Sequence, residues 1–162
     1  MSQLPPGAPE TVGAAFAHIN AVVDPTIDDL KLMVFLEASG QTAYEDLARS
    51  APNAEISRLL LANAREELAH AHRVSKVIKQ LTGEDFPPPS PEDNPYATSQ
   101  ERTVDRQILD YLVVAEDHGA TLYETWARHT ADTRAAQLLR LNAEEETLHG
   151  QRAAQAITFL EA

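Results

Sequence analysis

The sequence predicts an all-α protein, a bundle of four long helices arranged as two antiparallel hairpins with one long crossover between the second and third helices. Three observations predict it. Apolar residues recur at alternating spacings of three and four along four stretches. Short turns separate the helices within each hairpin, and a single long proline-rich segment separates the hairpins. The two hairpins also match each other at one constant offset.

Taken in order, residues 1–25 read as an N-terminal tail with a short helix expected over about 9–23. Its opening, "MSQLPPGAPETVGAAFAHINAVVDP", carries no Lys or Arg ahead of a mildly apolar middle and so makes a poor signal peptide. The bundle is expected over 26–162. Its first helix spans about 26–49, with Thr26 as N-cap and Asp29 in the capping-box position. "SAPN" stops it, and Asn53 caps the second helix, over about 53–81. Gly83 and "GEDFPPPSPEDNPYA" form the one long connection. The third helix is expected over about 99–130, and Asp132 caps the fourth, over about 132–161.

Helices joined by short turns lie antiparallel. A connection of about 16 residues in extended form reaches roughly 50 Å, and a helix of about 27 residues is roughly 40 Å long. The link can therefore run the length of the bundle and start the third helix from the opposite end, which is the ferritin-like connectivity.

The duplication is read by setting "LEASGQTAYEDLA" against "AEDHGATLYETWA". Glu37, Gly40, Tyr44, Glu45 and Ala48 fall on Glu116, Gly119, Tyr123, Glu124 and Ala127, an offset of 116 − 37 = 79. The same offset carries Leu59, Leu60, Asn63, Ala64, Glu66, Glu67, His70 and Arg73 onto Leu138, Leu139, Asn142, Ala143, Glu145, Glu146, His149 and Arg152. One offset aligns two helices without a gap, the signature of an internal repeat.

Helical spacing then decides which side chains face inward. The inward seams read Leu30, Met33, Glu37, Gly40, Tyr44, Leu47; then Ile56, Leu60, Asn63, Glu67, His70, Val74, Val77. The second hairpin gives Leu109, Leu112, Glu116, Gly119, Tyr123, Trp126; then Ala135, Leu139, Asn142, Glu146, His149, Ala153, Ala156, Leu160. Each seam carries one glutamate close to the helix midpoint, and two add a histidine one turn on. Midpoints stay level whichever way a helix runs, so four carboxylates and two imidazoles should meet at one central spot.

Singly, such a glutamate reads as a carboxylate reaching solvent, and such a histidine as a hydrogen-bonded core residue. Together they cannot. Four unpaired carboxylates at one buried point would cost several kcal/mol per ion, and two histidinium groups could not balance them. Two divalent cations would, charge for charge. Oxygen and imidazole donors without sulfur suit iron or manganese, with zinc also compatible.

Composition narrows the function classes. The net charge of −12 argues against a nucleic-acid binder, which needs a basic face, and favours drawing cations from solution. The absence of cysteine excludes disulfides, thiolate metal sites and a cysteine nucleophile. No run approaches the roughly 20 apolar residues of a membrane span. A cytoplasmic location is expected.

One Glu on each of two helices plus Glu-x-x-His on each of the other two resembles the dinuclear carboxylate signature of the ferritin-like superfamily. Within it the chain looks most like the rubrerythrin group, where a tyrosine follows the first ligand glutamate by seven residues, as Tyr44 follows Glu37, and another follows the third-helix glutamate, as Tyr123 follows Glu116. The likeness spans about 26–162. It implies Glu37, Glu67, His70, Glu116, Glu146 and His149 as ligands of two irons, with Glu67 and Glu146 bridging and Glu37 and Glu116 terminal. It also implies Tyr44 and Tyr123 as hydrogen-bond donors to the ligand carboxylates; their alternative is core packing.

Two departures stand out. Rubrerythrins carry a further carboxylate three residues after the third-helix glutamate, where this chain has Gly119, duplicated as Gly40. They typically add a cysteine-ligated iron domain that supplies electrons, so an external electron donor is expected here. A mid-helix Gly costs about 0.8–1 kcal/mol relative to Ala, so Gly40 and Gly119 suggest a pocket for a small oxidant, or else close helix approach. Asn63 and Asn142 are expected to be buried and hydrogen-bonded near the ligands. His18, His72, His118 and His129 are expected outside the site.

The leading expectation is a di-iron or di-manganese redox enzyme acting on hydrogen peroxide or dioxygen. Its competitors are a ferroxidase that handles iron, an oxygenase or manganese catalase, and a metal-stabilised bundle without catalysis. Outward apolar residues such as Phe35 and Val114 suggest a homodimer.

Overall fold

The computed structural model describes residues 3–160 and is helical throughout its regular structure: α1 (Val12–Asn20), α2 (Ile27–Arg49), α3 (Ala54–Thr82), α4 (Arg106–His129) and α5 (Thr133–Leu160), with no strand among the described residues. Residues 1 and 2 of the expected tail, residue 161 of the expected fourth helix and residue 162 of the expected bundle lie outside the described residues.

The helix starts follow local capping chemistry. Thr26 and Asp29 form a reciprocal capping box at α2. Asn53 accepts from the Ile56 amide at α3, Asp105 from Ile108 at α4, and Asp132 from Ala135 at α5. α3 ends at Gly83, whose φ of 77° is left-handed, and its amide bonds back to the Lys79 carbonyl. Within the expected tail, α1 is shorter than the 9–23 anticipated; Ala15 and Ile19 join the core against α2.

α4 begins at Arg106, not near Ser99. The reason is tertiary: the Ser99 hydroxyl and the Gln100 amide donate to buried Asp46 at 3.0 and 2.7 Å, and Val104 is packed into the core. Residues 99–104 are thus held off the helix axis and belong to the link.

Side-chain pairs set the helix directions. Tyr44 meets Glu116 while Tyr123 meets Glu37, so α2 and α4 run antiparallel. Asn63 bonds the His149 carbonyl while Asn142 bonds the His70 carbonyl, so α3 and α5 also run antiparallel. Short turns make α2–α3 and α4–α5 antiparallel as well. It follows that α3 and α4 point the same way and the link must traverse the bundle. Its contacts march along α2 accordingly: Glu84 on Lys31 (3.1 Å), Phe86 beside Phe35 (6.2 Å between ring centres), Asn94 on the Phe35 carbonyl (2.8 Å), then Asp46.

Two apolar clusters fill the bundle on either side of a polar midsection. One gathers Leu30, Met33, Val74, Val77, Trp126 and Leu139; the other gathers Leu47, Ile56, Leu60, Leu109, Ala153 and Ala156. Phe35, expected outward, is 1% exposed because Phe86 and Tyr96 of the link cover it, whereas Val114 is 55% exposed. No helix among the described residues is long and apolar enough to cross a membrane.

Candidate metal centre

The midsection holds Glu37, Glu67, His70, Glu116, Glu146 and His149, all buried, between the two apolar clusters. α3 and α5 bring the imidazoles face to face, ring centres 5.0 Å apart and planes 19° from parallel. Each ring is oriented from behind. His70 Nε2 lies 3.0 Å from Glu145 Oε2, and Arg73 grips Glu145 with both terminal nitrogens at 2.6 and 2.8 Å. Arg73 also donates to Asn142 Oδ1 (3.1 Å), and Asn142 Nδ2 donates to the His70 carbonyl (3.3 Å).

The second hairpin repeats the arrangement. His149 Nε2 lies 3.0 Å from Glu66 Oε2, Arg152 grips Glu66 at 2.5 and 3.0 Å, and Asn63 ties Arg152 to the His149 carbonyl. Burial alone would raise Glu145 and Glu66, but the arginines hold both below the ordinary carboxylate range. Two charged carboxylates thus stand behind the two Nε2 atoms as acceptors, and each Nδ1 faces inward.

Those two Nδ1 atoms are the diagnostic feature. Both are buried and make no hydrogen bond, an unusual state for a buried polar atom. Around them stand only carboxylate oxygens. His70 Nδ1 is 3.5 Å from Glu37 Oε2 and from Glu146 Oε1. His149 Nδ1 is 3.2 Å from Glu67 Oε1, 3.4 Å from Glu146 Oε2 and 3.5 Å from Glu116 Oε2. Glu146 therefore offers one oxygen to each imidazole. Adjacent donors around an ion bound at about 2.1 Å stand about 3.0 Å apart, close to these separations. One donor atom from each of Glu67, His70, Glu146 and His149 falls within 4.8 Å of the others.

Tyr44 and Tyr123 reach across the bundle. The Tyr44 phenol donates to Glu116 Oε1 and the Tyr123 phenol to Glu37 Oε1, each to the glutamate of the opposite hairpin. Burial first, and then the neighbouring carboxylates, push both phenols well above their usual value, so the donors keep their protons. One oxygen each of Glu116 and Glu37 is engaged, and the other faces an imidazole.

Left to themselves, both imidazoles, Glu116 and Glu67 favour their protonated forms. Burial disfavours the His70 cation, yet Glu146 and Glu37 push it up to about 11. Burial and Glu146 push Glu116 up to about 8. Glu67 is also raised, by burial and Glu37. A metal and protons would compete for one set of atoms.

Gly40 and Gly119 do not border an open pocket. A Cβ at Gly40 would sit 2.9 Å from Glu67 Cδ, and closer still to Oε2; one at Gly119 would sit 3.2 Å from Glu146 Cδ. The volume they vacate is filled by carboxylates. Asn63 and Asn142 are fully buried and bond the backbone of the histidines rather than a carboxylate. His72 and His118 are exposed, His18 pairs with Asp29, and His129 bonds the Thr125 carbonyl of its own helix.

Glu66, Glu145, Arg73 and Arg152 were not expected in the site. Each glutamate precedes a seam position and reads as surface. Their signal was the repeat itself, since both Glu–Arg pairs recur at offset 79 without any need of an outward face to match.

A family model described as Rubrerythrin matches residues 28–157. Comparison with curated proteins gives no match, and comparison with solved structures gives none either. The chain belongs to the rubrerythrin family.

Proposed function

We propose that the chain is a two-iron redox protein that reduces hydrogen peroxide, with dioxygen as its alternative oxidant. The observation that carries the reading is the pair of buried Nδ1 atoms that lack a hydrogen-bond partner and face four carboxylates. Family membership supports a di-metal protein of this type.

His70 and Glu37 would hold one ion, His149 and Glu116 the other, with Glu67 and Glu146 shared. When bound, a pair of irons supplies the two electrons that convert hydrogen peroxide, with two protons, into two waters. The rest falls to the chain. Glu145 and Glu66 keep the imidazole protons at Nε2 and so keep Nδ1 available. Tyr44 and Tyr123 hold the terminal carboxylates to one free oxygen each, which limits how much of each ion the protein occupies. The two apolar clusters exclude bulk water from either end. With no cysteine in the chain, electrons return from an external donor.

Iron handling as a ferroxidase is the second reading, favoured by the net charge of −12, which draws cations toward the surface. The test loads the protein with ferrous iron without air, then mixes it with peroxide or with air while following absorbance and iron stoichiometry. Two irons per chain and much faster oxidation by peroxide support the peroxidase reading. Faster oxidation by air, with turnover of added ferrous iron, favours the ferroxidase. No uptake of iron or manganese sinks both.

A further inference from the structure

Gly40 and Gly119 occupy mid-helix positions where neither has a positive φ, so backbone freedom does not explain them. Each lowers helix stability relative to alanine, and the repeat sets them at equivalent points, three residues after Glu37 and Glu116. What lies nearest each glycine is one glutamate side chain. The nearest neighbours of a Cβ at residue 40 would be Oε2, Cδ and Cγ of Glu67; those at residue 119 would be Cδ, Oε1 and Oε2 of Glu146.

The remaining helical glycines differ. A Cβ at Gly13 would meet open space, and one at Gly150 would make ordinary contacts at 3.5 Å with Glu116 Cβ and 3.7 Å with the Val113 carbonyl. The tight clearance is therefore confined to the two glycines that face the shared glutamates.

We propose that Gly40 and Gly119 are positioning residues that seat the Glu67 and Glu146 carboxylates, and that the seat at Gly40 is the stricter of the two. The inference rests on the two-metal reading above. The missing side chain on α2 lets the Glu67 carboxylate lie against the α2 backbone, with Oε1 on the His149 side and Oε2 turned toward Gly40. On α4 the same vacancy receives the Glu146 carboxylate, whose two oxygens divide between the imidazoles. A methyl group at residue 40 overlaps the carboxylate itself, so Glu67 must swing away and its oxygens leave their places. At residue 119 the methyl lies 3.2 Å from Glu146 Cδ, and a shift of a few tenths of an ångström accommodates it.

The test is anaerobic titration with ferrous iron, and separately with manganese, on the full chain and its Gly40→Ala, Gly119→Ala and Gly13→Ala variants. Thermal unfolding of each metal-free protein is measured alongside. Gly13→Ala is expected to bind two ions as the parent does. Gly40→Ala is expected to weaken binding of at least one ion by tenfold or more while its metal-free form stays folded, and Gly119→Ala by a smaller factor. Should Gly40→Ala fail to fold, the decision passes to Gly40→Ala combined with Glu67→Asp, which withdraws the carboxylate by one methylene. Folding and metal uptake restored in that pair, relative to Gly40→Ala, uphold the proposal. Two ions bound by Gly40→Ala at the parent's affinity overturn it, as does a double variant no better than the single. A parent chain that binds no metal instead overturns the function on which the proposal rests.

Discussion

The α2–α3 and α4–α5 hairpins agree on their inner faces and part company on their outer ones. Inside, Glu37, Tyr44, Asn63, Glu67, His70 and Arg73 have identical counterparts 79 residues on, and the structure exchanges the tyrosine, asparagine, arginine and imidazole hydrogen-bond partners across the bundle. Outside, Leu32 and Phe35 of α2 are buried, while Tyr111 and Val114, their equivalents on α4, are 65% and 55% exposed. The inner faces must satisfy one shared polar centre, where any unpaired group is costly. The outer faces answer only to what lies over them, and the link covers Phe35 of α2 but leaves Tyr111 and Val114 of α4 exposed. Conserved chemistry and divergent packing thus sit on opposite sides of the same helices.

The sharpest way to break that comparison is to truncate the paired outer residues. Phe35→Ala should cost about 3–5 kcal/mol in chemical denaturation, the range for emptying a packed aromatic site. Val114→Ala should stay within about 0.5 kcal/mol, as exposed substitutions do. Equal losses would mean that α4 is covered after all.

Inner-face variants should behave as twins. On the proposed two-metal reading His70→Ala and His149→Ala each remove one ion's imidazole, and each should weaken metal binding by more than the roughly 10–100-fold typical of losing a ligand's supporting partner. Arg73→Ala and Arg152→Ala remove such support from Glu145 and Glu66 and should fall within that 10–100-fold range. Calorimetric titration compares the members of each pair. A large difference within a pair would show that the two halves do not contribute equally.

The smallest effect is read from pH. Below about 6.5 the positive charge on His70, favoured by the Glu37 and Glu146 carboxylates, contributes its full stability; that contribution is lost as pH rises toward its folded value of about 11. Glu116, raised to about 8, acts in the same direction, since ionising it in the buried site grows costlier above its ordinary range. The metal-free protein should therefore melt at lower temperature at pH 9 than at pH 6. The metal-loaded protein should show a weaker trend, because bound cations replace the protons. Binding should release protons and tighten as pH rises. Calorimetry in buffers of different ionisation enthalpy counts them, and no release at pH 7 would contradict the proton-filled site.

Much of this molecule was legible beforehand because helical periodicity is local. The seams, the capping residues Thr26, Asn53 and Asp132, and the convergence of four glutamates with two histidines all follow from which residues share a face within one helix. The start of α4 was not legible, since Ser99 and Gln100 are taken by Asp46, a residue more than 50 positions earlier. Glu66 and Glu145 look like surface residues on their own helices and become imidazole partners only where α3 crosses α5. Gly40 and Gly119 suggested empty space, and the space proved to belong to a neighbouring helix's carboxylates. Sequence by itself determined which side of each helix is polar and which atoms are available there. Tertiary structure alone decided which helix supplies each atom's partner, because a hydrogen bond or steric contact between helices depends on their separation and register, and those are settled by packing of the whole bundle rather than by any one segment.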